Sequence, residues 1–414
     1  MEERMVKLIQ HQQFKELKKL ITSHGEDYYK NTICHPLHVI AKYSNIEPAK
    51  PGHSEDKSQR RLVNLLEILA NKGLDINQVD YNTITPLSYA VHNSTVVMNW
   101  LITYGADINA IIGQQGQTAL MTLLDSYHAL TEIVESSRLS RSTTLMFRSK
   151  LKACRELCCA LTIELYSGIK ITVHKESYIY RLFLILNQKH NLEVEDSYGL
   201  NLLDHAISFV YSLTLRVSDS LSSTFKFSTC RENSFDIREI GYHAFHCILS
   251  QYGDVDVVKM NGFSPLMSVA TSIDDGTLVA MLIKAGANMD LKLKHGADDA
   301  LSLALEYKNI TVALVLALAG SDLYSASKWL VNSTPIDFNS VLRPIESMRK
   351  DRQKIVTQLH EYLLDNIRKP STLCILCRKA VVKYLKNPNS VKKLDVIPKS
   401  IKEFLQFPEF ANIL

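Results

Sequence analysis

The chain has 414 residues, 46% of them hydrophobic, and a formal net charge of +4. That length suits two or three ordinary domains or one long repeat array, and that apolar content excludes global disorder. The charge is uneven: Arg343 to Lys402 holds fifteen Lys/Arg against five Asp/Glu, so the remainder is net acidic. We read the basic stretch as solvated helix faces that meet an acidic protein, and not as a nucleic-acid surface.

The start, Met1-Glu2-Glu3-Arg4-Met5, is charged and no long apolar segment follows it. The strongly apolar run from Ile310 to Gly320 is too short to span a bilayer. Eight cysteines occur without regular spacing. With no sign of export, the expected compartment is a reducing one, cytosol or nucleus, with no membrane partner.

In chain order, Met5 to Gly25 has a helical apolar pattern in Leu8, Phe14, Leu17, Leu20 and Ile21, and reads as a capping half-repeat. A phrase then recurs. It runs His35-Pro36-Leu37-His38-Val39-Ile40-Ala41, Thr85-Pro86-Leu87-Ser88-Tyr89-Ala90, Thr118-Ala119-Leu120-Met121, Asn201-Leu202-Leu203-Asp204-His205-Ala206, Ser264-Pro265-Leu266-Met267-Ser268-Val269-Ala270 and Asp299-Ala300-Leu301-Ser302-Leu303-Ala304. Thr85 and Thr118 are 33 residues apart. A second phrase lies between: Gly73-Leu74-Asp75-Ile76-Asn77, Gly105-Ala106-Asp107-Ile108-Asn109, Gly253-Asp254-Val255-Asp256 and Gly286-Ala287-Asn288-Met289-Asp290.

The chemistry of each phrase is local. Thr or Ser before Pro caps a helix, and Pro at its first position loses no hydrogen bond. A second helix follows, as in Val96 to Ile102 and Leu278 to Ile283. The Gly ends it in a left-handed conformation, and the Asp-x-Asn favours a turn into an extended finger. Helix, turn, helix and finger at this period predict an all-α fold. It resembles the ankyrin repeat.

The array is expected to hold six to eight repeats over residues 1–325, with insertions near 47–60, 125–150 and 212–233. The stretch from Ala153 to Gly199 has helices but only a degenerate phrase. A helical linker follows at 326–369, with Ile355, Leu359, Tyr362 and Leu363 on one face.

The inventory for catalysis is empty: there is no Walker loop, dinucleotide Gly pattern or nucleophile elbow. We expect no catalytic residue, cofactor or metal. Cys374-x-x-Cys377 has no second Cys/His pair nearby, and both read as small apolar core residues of a helix, as do Cys154, Cys158 and Cys159.

Residues 370–414 carry the recognition chemistry. Ser371-Thr372-Leu373-Cys374-Ile375-Leu376-Cys377-Arg378-Lys379-Ala380-Val381 reads as a helix capped by Thr372. Leu373, Leu376, Cys377 and Ala380 share one face by their spacing. Such a unit is too small to bury its apolar face alone. Thr372-Leu373, Cys377 and Val381 resemble the adaptor-binding BC box of a SOCS box. Ile397-Pro398, Ile401, Phe404 and Leu405 resemble the second half of a cullin box, whose first Leu-Pro is replaced here by Asp395-Val396.

Array and tail together resemble the ankyrin-repeat and SOCS-box family. That resemblance implies an ankyrin-repeat solenoid with a C-terminal helical SOCS box. It also implies a non-catalytic substrate receptor of a ubiquitin ligase. Leu373, Leu376, Cys377, Ala380 and Val381 would meet Elongin B/C. Ile397, Pro398, Ile401, Phe404 and Leu405 would meet cullin-5, in preference to cullin-2. A target protein of unknown identity would meet the finger tips and inner helices, at Tyr81, Asn82, His92, Asn93, Gln114, Met260 and Asn261. A plain ankyrin scaffold with no ligase role is the alternative.

Overall fold

A computed structural model describes residues 2–23, 35–44, 55–126, 160–168, 170–174, 178–219, 238–259, 262–293, 298–324, 346–366, 372–385, 399–408 and 410. The chain divides into two compact units, Met1–Cys247 and Ile248–Leu414.

In the first unit the helices form two layers. An inner layer holds α1 (Glu2–Gln10), α3 (Pro36–Tyr43), α5 (Pro86–Asn93), α7 (Ala119–Leu124) and α9 (Leu202–Asp219), each packed on the next. An outer layer holds α2 (Phe14–Thr22), α4 (Glu55–Asn71) and α6 (Thr95–Thr103), packed in the same order. Between α7 and α8 (Tyr178–Leu186) lies an antiparallel pair, β1 (Ala160–Glu164) with β2 (Lys170–His174), registered Thr162 to Thr172. This pair is an addition to the all-α expectation. α10 (Arg238–Leu249) follows α9.

The second unit repeats the layering. Inner α11 (Pro265–Ser272) packs on α13 (Ala300–Glu306), and outer α12 (Gly276–Lys284) on α14 (Ile310–Ala319). α15 (Glu346–Asn366) lies against α14, with Leu359 and Leu363 fully buried. Two tail helices complete the unit, α16 (Leu373–Leu385) and α17 (Lys399–Leu405). Among the described residues no helix is long and apolar enough to cross a membrane.

The caps expected from the phrases form. The hydroxyls of Thr85, Thr118 and Ser264 accept from the amides of Ser88, Met121 and Met267, and Asp299 accepts from Ser302. Each satisfies an amide that the helix start leaves open. Outer helices are capped likewise, α6 by Ser94 and α12 by Asp275. Gly105 and Gly286 follow α6 and α12 at φ 88° and 97°, a conformation that side chains resist. Gly253 departs from the expectation. α10 already ends at Leu249, so Gly253 is not its terminal residue and has no positive φ.

Side chains tie successive fingers. The Asn77 carboxamide oxygen accepts from Asp107 N and that of Asn109 from Asn191 N, both at 2.8 Å. Asp256 accepts from Asn288 N and Asp290 from Asp322 N, at 2.8 and 2.9 Å. The first of these spans 30 residues and the second 82. α8 is therefore the outer helix of the repeat that α7 opens, displaced in sequence by an insertion. Tyr178 Oη donates to Leu123 O, and Arg181 donates to the Val91 and His92 carbonyls, satisfying helix ends of the neighbouring elements.

Three further expectations change. The N-terminal segment is a pair of helices, α1 and α2, in place of a half-repeat: Met5, Leu8, Ile9, Phe14, Leu17 and Ile21 are all buried, so both helices present an apolar face. The 47–60 loop gives way to helix at Glu55. No Gly or Pro occurs between Gly52 and Gly73, and Glu55 and Asp56 suit a helix start. Helix α9 runs on to Asp219, into the 212–233 insertion, with Leu213 fully buried. Cys154, Cys158, Cys159 and most of the 125–150 insertion lie outside the described residues.

Candidate functional site: the outward face of the tail helix

Thr372 begins α16 as expected, its hydroxyl accepting from Ile375 N at 3.3 Å. One side of the helix docks. Ile375 sits against Gly320, the left-handed residue at the end of α14, where an added Cβ would collide with the Ile375 side chain. Lys379 Nζ pairs with Asp290 Oδ2 at 2.7 Å, so the tail holds the same carboxylate that links two fingers. Arg378 is 4% exposed; its guanidinium lies over the rings of Phe404 and Phe407, 3.8 and 4.7 Å from their centroids. Phe407 in turn stacks on Phe410. A cation held between aromatic faces away from water gains about 2 kcal/mol.

The other side is bare. Leu373 is 77% exposed and Leu376 49%, and Cys377 and Ala380 are exposed, with Val381 half-buried at the edge. At 100° per residue these five positions fall within an arc of about 140°, opposite Ile375, Arg378 and Lys379. Cys377 thus differs from the core residue expected. The side chain of Cys374 lies outside the described residues. An exposed stripe of Leu, Leu, Cys and Ala beside a firmly docked face is suited to cover by another apolar surface.

The residues expected to meet a cullin do not form one exposed face. Ile401 is exposed, Phe404 is engaged by Arg378, and Leu405 is 6% exposed. Ile397 and Pro398 lie outside the described residues. Sequence reading missed Ile375, Arg378 and Lys379 as docking residues. The available signal was the pair of cations, Arg378 and Lys379, opposite the apolar stripe.

Of the expected target-binding residues, Tyr81, Asn82 and Gln114 are exposed on two fingers joined by Gly113 N donating to Thr83 O at 3.2 Å. The next finger joins through Ser197 N and Gln115 O at 2.8 Å. His92 and Asn93 are half-buried; Asn93 donates to Tyr89 O, and the His92 ring reaches Thr122 Oγ1. Met260 and Asn261 lie outside the described residues. His38 bonds the Ile84 carbonyl through Nε2 at 3.0 Å, tying one repeat to the next.

Capped helix pairs joined by side-chain-linked fingers define a helical repeat protein. Residues 82–112 match the ankyrin repeat family model, so the chain contains an ankyrin repeat there. Among solved structures, the ankyrin repeat domain of Bcl-3 is similar at 16% identity and TM-score 0.41, covering 79% of this chain and 98% of that one. An ankyrin repeat domain from Acinetobacter baumannii is similar at 16% identity and TM-score 0.39, covering 69% of this chain and 98% of that one. No curated protein sequence matches the chain.

Proposed function

We propose that the chain is the substrate-recognition subunit of an Elongin B/C–cullin-5 type ubiquitin ligase. The ankyrin repeats bind the target protein and the tail docks the adaptor. The chain itself makes no bond; it supplies proximity and orientation to catalytic partners, in cytosol or nucleus. The observation that carries this reading is the division of α16 into a docked face and a bare one. The bare face holds the residues of the BC-box form, Leu373, Cys377 and Val381, together with Leu376 and Ala380. A helix that only closed the array would turn its leucines inward; here Leu373 is 77% exposed.

The cullin contact rests on less, since Leu405 is committed to the fold. Ile401 is the described residue available to it. The test is co-purification of Elongin B/C with the full chain and with Leu373→Ala, with cullin-5 and cullin-2 scored in the same eluates. Retention by the native chain and loss in the variant supports the receptor. Equal recovery, or none with either, returns the chain to a plain interaction scaffold.

A further inference from the structure

Helix α9 carries His205 between carboxylates from two other elements of the first unit. Its Nδ1 lies 3.0 Å from Asp125 Oδ1, at the end of α7. Its Nε2 lies 3.3 Å from Asp196 Oδ2, in the finger that precedes α9. Asp125 also accepts from Gln117 Nε2 at 2.9 Å. These groups and Tyr198 line an open groove of about 510 Å³.

The repeat register marks what is unusual. Asp80 and Tyr89 stand nine residues apart, and Tyr89 Oη donates to Asp80 Oδ2 at 2.8 Å. Lys259 and Ser268 occupy the same two positions, and Lys259 Nζ donates to Ser268 Oγ at 3.0 Å. Asp196 and His205 are the third such pair, yet Asp196 Oδ2 receives no hydrogen bond, and its contact with His205 Nε2 is one of charge alone. Asp196 is 7% exposed and His205 3%. A buried carboxylate oxygen without a donor is costly, and this one borders the groove. A donor entering the groove would satisfy it.

The rim narrows the choice of donor. Tyr198 is 74% exposed, and the Asp125 side chain is more than a third exposed. Two carboxylates face one imidazole, so the groove is negative even with His205 protonated. Each carboxylate oxygen accepts more than one hydrogen bond, which leaves Asp125 capacity beyond His205 and Gln117. An aromatic face beside such carboxylates matches a planar cation with several donors. An ammonium has the charge without the plane.

We propose that this groove is a subsite for an arginine side chain of the recognised protein, the guanidinium stacking on Tyr198 and donating to Asp125 and Asp196. This rests on the reading of the repeats as the target-binding surface, and is independent of the tail. The test is a titration of the full chain, isotope-labelled at His and Tyr rings, with Nα-acetyl-arginine methylamide. The lysine and norleucine counterparts are run beside it. Saturable shifts of the His205 and Tyr198 signals are expected with the arginine probe, about tenfold weaker binding with lysine, and none with norleucine. Asp125→Asn and Tyr198→Ala should each weaken the arginine probe about tenfold. Tyr198 is exposed, so its variant should keep the native melting temperature. No saturable shift, equal shifts with norleucine, or indifference to both variants overturns the proposal. Elongin B/C binding, read on the same samples, separates the two readings: failure of the arginine titration with adaptor binding intact sinks the subsite alone.

Discussion

The guanidinium of Arg378 lies 3.8 Å from the centre of the Phe404 ring, and this contact joins the two tail helices. It also decides which tail residues are free. Phe404 is turned to Arg378 and Leu405 inward, whereas Leu373 and Leu376, on the side of α16 opposite Arg378, stay exposed. Replacing Arg378 with Met should loosen α17 while sparing α11 to α14. We expect a loss of about 1–2 kcal/mol in the opening free energy of α17, read by amide hydrogen exchange. Unchanged protection at residues 399–405 would remove this role.

Gly320 tests the docking from the other side. Its φ of 98° resists any side chain, and an added Cβ would strike Ile375. Gly320→Ala should cost about 1–2 kcal/mol from the backbone and about 1–3 more from the clash. Adding Ile375→Ala should return the second part only. Thermal melts of the single and double variants measure the difference.

These contacts mark the limit of what was legible in the sequence. Caps at Thr85, Thr118, Ser264 and Asp299 act within three residues, so their phrases announced the helices. The outer helix α8 was obscure because it completes a repeat begun at Thr118, and distant pairs such as Asn109 with Asn191 and Tyr178 with Leu123 reveal the register. The apolar stripe of α16 was readable from spacing. The division of Phe404 and Leu405 from Ile401 was not, because Arg378 on another helix imposes it.

His35 gives a pH dependence. It is 2% exposed, and burial first, with the His38 charge second, lowers its pKa from 6.5 to about 4. The unfolded chain therefore binds the proton more readily. The stability from neutral His35 is present above about pH 6.5 and is lost as pH falls towards 4, about 3 kcal/mol in all. In His35→Gln that part of the acid-side loss should vanish from urea midpoints measured between pH 7 and 4.

His205 has the opposite sign. Burial disfavours its charge, but the Asp125 hydrogen bond and the Asp125, Asp196 and Asp204 charges outweigh it and raise the pKa. Its contribution is present below the ordinary histidine range and is lost as pH rises through the raised value. His205→Gln should flatten stability on that alkaline side, where His35→Gln should not.

The most direct test is a calorimetric titration of the full chain with purified Elongin B/C, set beside Leu373→Ala and Leu376→Asp. Saturable binding to the native chain is expected. Leu373→Ala should lose about 2–5 kcal/mol of binding, a thirtyfold or greater weakening at about the lower figure, with unchanged melting because Leu373 is already exposed. Binding that is equal in all three proteins, or absent from the native chain, would contradict it.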